Sequence, residues 1–138
     1  MPKFQDSDEA HAYLGGIFDD AMADDELGPR FAEAGVVLKL NYSDPDATLL
    51  VDMPNRAVYK GAEVANGPDP QVEMWMTADV GHKFWLGEVN ISVALAKGTM
   101  RAKGPVPKIL KLVPLAKELF PRYRAQLEAD DRHDLLDV

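Results

Sequence analysis

From Tyr13 to Met22 the apolar residues fall at spacings of three and four. Tyr13, Leu14, Ile17, Phe18, Ala21 and Met22 therefore share one face of a helix. Asp6 precedes that stripe with Glu9 three residues on, a capping-box-like start, while Gly15 and Gly16 weaken the helix interior. A short second helix fits Pro29 to Ala34, with proline in its first turn and Gly35 at its end. The period then changes from 3.6 to 2. Val36–Tyr42 and Thr48–Met53 read as strands joined through Ser43-Asp44-Pro45-Asp46, and Arg56–Lys60 reads as a third, edge-like strand. After the breaker Asn66-Gly67-Pro68-Asp69-Pro70, alternation resumes over Gln71–Thr77, with Val72, Met74 and Met76 opposed to Glu73, Trp75 and Thr77. Both faces of this strand carry large apolar side chains, so both are expected to be covered.

Helical signals return beyond it. Thr77 is placed to cap a helix ending at Gly87, and Asn90 another ending at Gly98. Thr99–Lys103 is a short strand. Pro107 opens a helix expected to run, with a break at Pro114, to about Ala129. Residues 130–138 read as a loose acidic tail. Helices, then hairpins, then short helices around a last strand give an α+β layout rather than alternating βαβ units.

The length of 138 residues fits one domain, residues 1–129, with the tail appended. Absence of cysteine removes disulfides, thiolate metal sites and a cysteine nucleophile, and suits a reduced, cytoplasmic setting. The first 20 residues carry five acids rather than a basic-then-apolar leader, and no apolar run approaches the roughly 20 residues of a membrane span. The net charge of −8 disfavours nucleic acid as an average, but it is unevenly spread. Residues 1–35 hold nine acids and two bases, whereas residues 97–124 hold eight bases against Glu118 alone. Interleaved with Ile109, Leu110, Leu112, Val113, Leu115, Leu119 and Phe120, those bases make an amphipathic region. It suits an anionic membrane surface, an acidic head group or an acidic partner, and equally a solvated helix face.

Catalytic chemistry finds little support. His11, His82 and His133 are scattered and read as solvated surface side chains. The clusters Asp19-Asp20 and Asp24-Asp25-Glu26 read as a solvated face, and no nucleophile elbow, phosphate loop or dinucleotide fingerprint occurs. No metal or cofactor is expected. Met74, Trp75, Met76, Phe84, Trp85, Leu86, Ile91, Leu95 and Met100 crowd into 27 residues, as an adaptable apolar pocket or as plain core.

Gly87, Asn90, Ala94, Gly98, Lys103 and Gly104 follow without a gap the spacing of one lipid-binding family. Met76-Thr77-Ala78-Asp79 and Phe84 match its upstream strand and aromatic-bearing helix. Over roughly residues 35–127 the chain resembles the sterol carrier protein type two family. The resemblance implies an α+β fold with a five-stranded, mostly antiparallel sheet covered by helices and enclosing an apolar tunnel. It implies no catalytic residues, and a guest that is a sterol, fatty acid or fatty acyl-CoA. Pro105, where the family more often has an acidic or amide residue, and the lack of a peroxisomal ending point to a bacterial stand-alone type.

The expected function is thus non-enzymatic carriage of a hydrophobic ligand. Trp75, Phe84, Trp85, Ile91, Leu95, Met100, Leu112, Leu115, Leu119 and Phe120 are the candidate walls, and Arg101, Lys103, Lys108 and Lys111 the candidate head-group or membrane contacts. A guest of that size calls for a cavity on the order of 300–1,000 Å³, with Pro114 as a hinge to admit it. The alternative is an accessory module that docks on a lipid- or steroid-metabolising enzyme and binds no ligand tightly. An enzyme would need His11, His82, Asp52 or Glu73 inside the cavity.

Overall fold

The capping signals locate the helices of the computed structural model, which describes residues 2–136. Asp6 Oδ1 accepts from the Glu9 amide at 2.9 Å and starts α1 (Ser7–Ala10), which passes through a π-helical turn (His11–Gly15) into α2 (Gly16–Ala23). Leu14, Ile17, Phe18, Ala21 and Met22 of the stripe are buried, and Tyr13 is half-buried. Gly15 is required by close approach: a Cβ there would fall 2.8 Å from Lys60 Cε and 3.1 Å from Leu49 Cδ2. The residue that costs the helix stability lets it lie against the sheet. Helix α3 (Leu27–Ala34) begins two residues before Pro29, because Asp24 Oδ1 accepts from the Glu26 and Leu27 amides at 2.8 Å each. The Leu27 amide first, and Arg122 next, hold the Asp24 carboxyl at a pKa of about 2.

The sheet comprises β1 (Val37–Ser43), β2 (Ala47–Asp52), β3 (Ala57–Lys60), β4 (Val72–Thr77) and β5 (Arg101–Lys103), in the order β3-β2-β1-β4-β5. Three neighbouring pairs are antiparallel, while β1 and β4 run parallel with Leu40 opposite Met74. The connection from β3 to β4 must therefore cross β2 and β1. It does so over the outer face, where a 3₁₀ turn (Gly61–Asn66) lies beside Lys39, Thr48 and Leu50. Leu38, Leu40, Tyr42, Leu49, Val51, Val72 and Met74 form the inner face and are buried beneath the helices. Trp75, one residue out of phase, is 38% exposed on the outer face. The expectation that both faces of this strand are covered is corrected at Trp75.

Thr77 Oγ1 accepts from the Val80 amide to cap α4 (Ala78–Trp85), and Asn90 Oδ1 accepts from the Val93 amide to cap α5 (Ile91–Lys97), both at 3.1 Å. Helix α6 (Val106–Lys117) runs unbroken through Pro114, so no hinge lies there. The break falls at Glu118-Leu119, because Pro121 is preorganised for the first turn of a new helix, α7 (Phe120–Ala129).

The reading of 130–138 as a loose tail gives way for the residues described. Arg132 bridges Glu9 and Asp134 at 3.0 Å each, and α8 (His133–Leu136) buries Leu135 completely. Residues 137 and 138 lie outside the described residues. The surface reading of the histidines also fails at His82, which is fully buried. Its Nε2 lies 2.6 Å from the Leu135 carbonyl, and its Nδ1 2.6 Å from the Tyr123 hydroxyl. A carbonyl only accepts, so Nε2 carries the proton and Nδ1 accepts from Tyr123. Apolar cluster and polar clip together fasten the last helix to α4.

Two outcomes follow from this packing. Gly104 sits at φ 106°, and a Cβ there would lie 2.5 Å from the Gln71 carbonyl oxygen. Gly104→Ala is expected to lower stability by about 1–3 kcal/mol in urea unfolding, and an unchanged midpoint would refute the close approach. Burial lowers the His82 pKa below its ordinary 6.5, although the Leu135 carbonyl partly opposes this. The unfolded chain then takes up its proton first. The His82 contribution is whole above pH 6.5 and is lost as pH falls below it towards the depressed folded value. Unfolding free energies measured from pH 7.5 down to 5 should decline, and His82→Gln should shallow that slope; an identical slope in the variant counts against a buried neutral imidazole.

Candidate functional site

Helix α4 crosses β1 and β4 at close range. Gly81 has no side chain where Tyr42 passes beneath it: a Cβ would meet Tyr42 Cε1 at 2.6 Å. One turn later Phe84 and Trp85 extend over the strands, and α6 closes the layer from the side of β4. Between them remains a small space of about 70 Å³. Leu38, Leu40 and Tyr42 of β1, Met74 and Met76 of β4, and Gly81, Phe84 and Trp85 of α4 form part of its wall. Ile109, Leu112, Val113 and Ala116 of α6 continue it, and Phe18, Phe31, Met53, Ile91 and Met100 complete it. Four of the six methionines of the chain thus face one small void. Among the described residues, no charged side chain lines it.

A second, open cleft of about 570 Å³ lies outside, between the α4–α5 connection and α6. It shares Phe84, Ile91 and Val113 with the inner cavity, so these three side chains form the partition between the two spaces. Leu110, Pro114, Lys117, Glu88 and Phe120 line its outer part. Phe120 packs edge-on against Phe84 at 5.4 Å and Trp85 at 6.2 Å between ring centroids.

Of the ten candidate walls, Phe84, Trp85, Ile91, Met100 and Leu112 are brought together around the inner cavity. Phe120 lines the outer cleft instead. Leu119 is fully buried behind the wall, and Leu95 packs half-buried against the core. Leu115 lies with Arg30, Glu33, Ala34 and Lys111 at a shallow site on the far side of α6. Trp75 is on the opposite face of the sheet. Its placement is corrected by the pleat, since Met74 and Met76 take the inward phase.

The four candidate head-group contacts lie elsewhere. Arg101 and Lys103 are exposed on β5 opposite Trp75 and Glu73. The Lys108 ammonium donates to Gln71 Oε1 at 3.4 Å and that of Lys111 to the Ala34 carbonyl at 3.1 Å. None of the four lines the cavity or the cleft, and the cation that lines the cleft is Lys117. Residues 18, 31, 38, 40, 42, 53, 81, 109, 113 and 116 also line the cavity and are not among the candidate walls. The inward phase of β1 was legible, but which buried residues border a void depends on helices packed from elsewhere in the chain.

His11, His82, Asp52 and Glu73 are all absent from the cavity wall. His11 Nε2 accepts from the Thr48 amide, Asp52 accepts from Asn55, Glu73 faces Asn41 on the outer face, and His82 belongs to the clip at α8. The condition set for an enzyme is therefore not met by these residues. This geometry separates two substitutions: Trp75→Ala should leave binding of an apolar fluorescent probe within about twofold, whereas Leu112→Arg, which places a charge in an apolar wall, should abolish it. Equal losses in the two variants would show that the probe reads the outer face instead.

No protein-family model matches the chain, and no curated protein matches it significantly. Solved structures do. The apo sterol carrier protein 2 of Yarrowia lipolytica aligns with a TM-score of 0.66 at 19% identity, over 85% of this chain and 96% of that one. The sterol carrier protein-2 of Aedes aegypti in complex with palmitate aligns with a TM-score of 0.54 at 18% identity, over 80% and 94%. A UbiJ-SCP2 ubiquinone synthesis protein aligns with a TM-score of 0.56 at 16% identity, over 82% and 89%. The mixed α+β architecture, a five-stranded sheet with helices packed on it, thus matches the sterol carrier protein 2 fold.

Proposed function

We propose that this protein binds and carries a flexible acyl-type lipid, its apolar chain reaching the inner cavity and its head remaining in the outer cleft. The observation that supports this reading is the adjacency of the two spaces. A largely apolar void lies next to an open cleft, and Phe84, Ile91 and Val113 line both. Small-molecule sites commonly measure about 300–1,000 Å³, so the inner space alone holds only part of such a guest. The ligand would displace the partition side chains, of which Phe84 and Ile91 are half-buried, and the methionines would repack around it. A thin, flexible chain fits this better than a rigid ring system. Lys117 stands in the cleft to meet a carboxylate or phosphate head, within a stretch, residues 91–117, that holds six bases and no acid. That potential also favours brief contact with an anionic membrane during loading.

One observation favours the second reading, an accessory module docking on a lipid-metabolising enzyme. The inner volume is about 70 Å³, and Leu110 at the cleft and Val93 on α5 are exposed at 41% and 48%. Native mass spectrometry of the purified protein, followed by delipidation and titration with a fluorescent C16 fatty acid, separates the two. Saturable binding, weakened at least tenfold by Leu112→Arg and severalfold by Lys117→Glu, is the result expected of a carrier. A folded protein that takes up no acyl, acyl-CoA or sterol probe sinks the carrier reading and leaves the docking module.

A further inference from the structure

Two side chains with polar atoms, Tyr42 and Trp85, stand among the otherwise apolar residues that line the inner cavity. Tyr42 is 6% exposed and Trp85 is 3% exposed, and both line the void. Neither the Tyr42 hydroxyl nor the Trp85 indole N–H has a hydrogen-bond partner among the described residues, although both groups ordinarily find one when buried. The neighbouring Tyr123 shows the ordinary case, its hydroxyl engaged by His82. Both atoms keep some accessible surface, since no buried side-chain polar atom is wholly sealed without a partner. Burial pushes the Tyr42 pKa up, so its hydroxyl stays protonated and able to donate.

We infer that the ligand carries a neutral oxygen acceptor, a hydroxyl, ketone or ester oxygen, at the end that enters the cavity, and that Tyr42 and Trp85 donate to it. This rests on the carrier reading and names the class of its cargo. A carboxylate is excluded from that end on physical grounds. No lysine, arginine or histidine lines the cavity, and an unpaired anion there would meet only apolar walls and two neutral donors. The charged end of an amphiphile belongs outside with Lys117. Gly81 has a part in this arrangement, since a side chain at that position would displace the Tyr42 ring.

The test compares palmitate with 16-hydroxypalmitate, two chains alike in length and carboxylate and differing only at the inner end. In a cavity without donors, the terminal hydroxyl weakens binding by an order of magnitude or more. Here 16-hydroxypalmitate is expected to bind at least fivefold more tightly than palmitate to the delipidated protein, with the preference lost in Tyr42→Phe and reduced in Trp85→Phe. Thermal melts establish that each variant is folded, and Tyr42→Phe alters no packing atom except the hydroxyl. Tighter binding of palmitate, or a preference that persists in both variants, overturns the inference and leaves the carrier reading standing. Failure of both fatty acids to bind overturns the two together.

Discussion

The close contact between Gly81 of α4 and Tyr42 of β1 sets the geometry on which the rest of the molecule depends. With no side chain at position 81 the helix settles directly on the two central strands. That places Phe84 and Trp85 over the sheet on one side of the helix and His82 in the clip with Tyr123 and Leu135. Cavity roof and chain-end fastening are thus two consequences of one approach distance. Because α4 is only eight residues long, its position is held by packing and by the Thr77 cap rather than by intrinsic helix stability.

The interior is a compromise between filling and hollowing. Aromatic residues pack edge-on in a continuous group, Phe18, Trp85, Phe84 and Phe120, and leave little unfilled volume. Methionine supplies the compliance, since its unbranched chain changes shape at small cost. On the proposed carrier reading, a closed state without a guest and an opened state with one are variants of the same core. Such a core keeps a small domain from exposing an empty apolar hole to water.

Charge is organised around the same architecture. Ion pairs join the first helices to the later ones: Arg122 reaches Asp20 and Asp24, Arg132 pairs with Glu9, and, with the signs reversed, Arg30 pairs with Glu118. Most of these pairs are half-exposed, so they orient the layers more than they stabilise them.

The amino-acid sequence by itself determined most of the elements, because their signals are local: Asp6, Thr77 and Asn90 accept from amides three residues on, and the inward phase of β1 is set by alternation. The spacing of Gly87, Asn90, Ala94, Gly98, Lys103 and Gly104 also pointed to the fold that the solved structures share. What only the tertiary structure decided is long-range. The parallel pairing of β1 with β4, the burial of His82 and Leu135, and the choice of Met74 over Trp75 as a cavity wall all join segments far apart in the chain. A void, above all, is a property of the gap between elements, and no single segment encodes it.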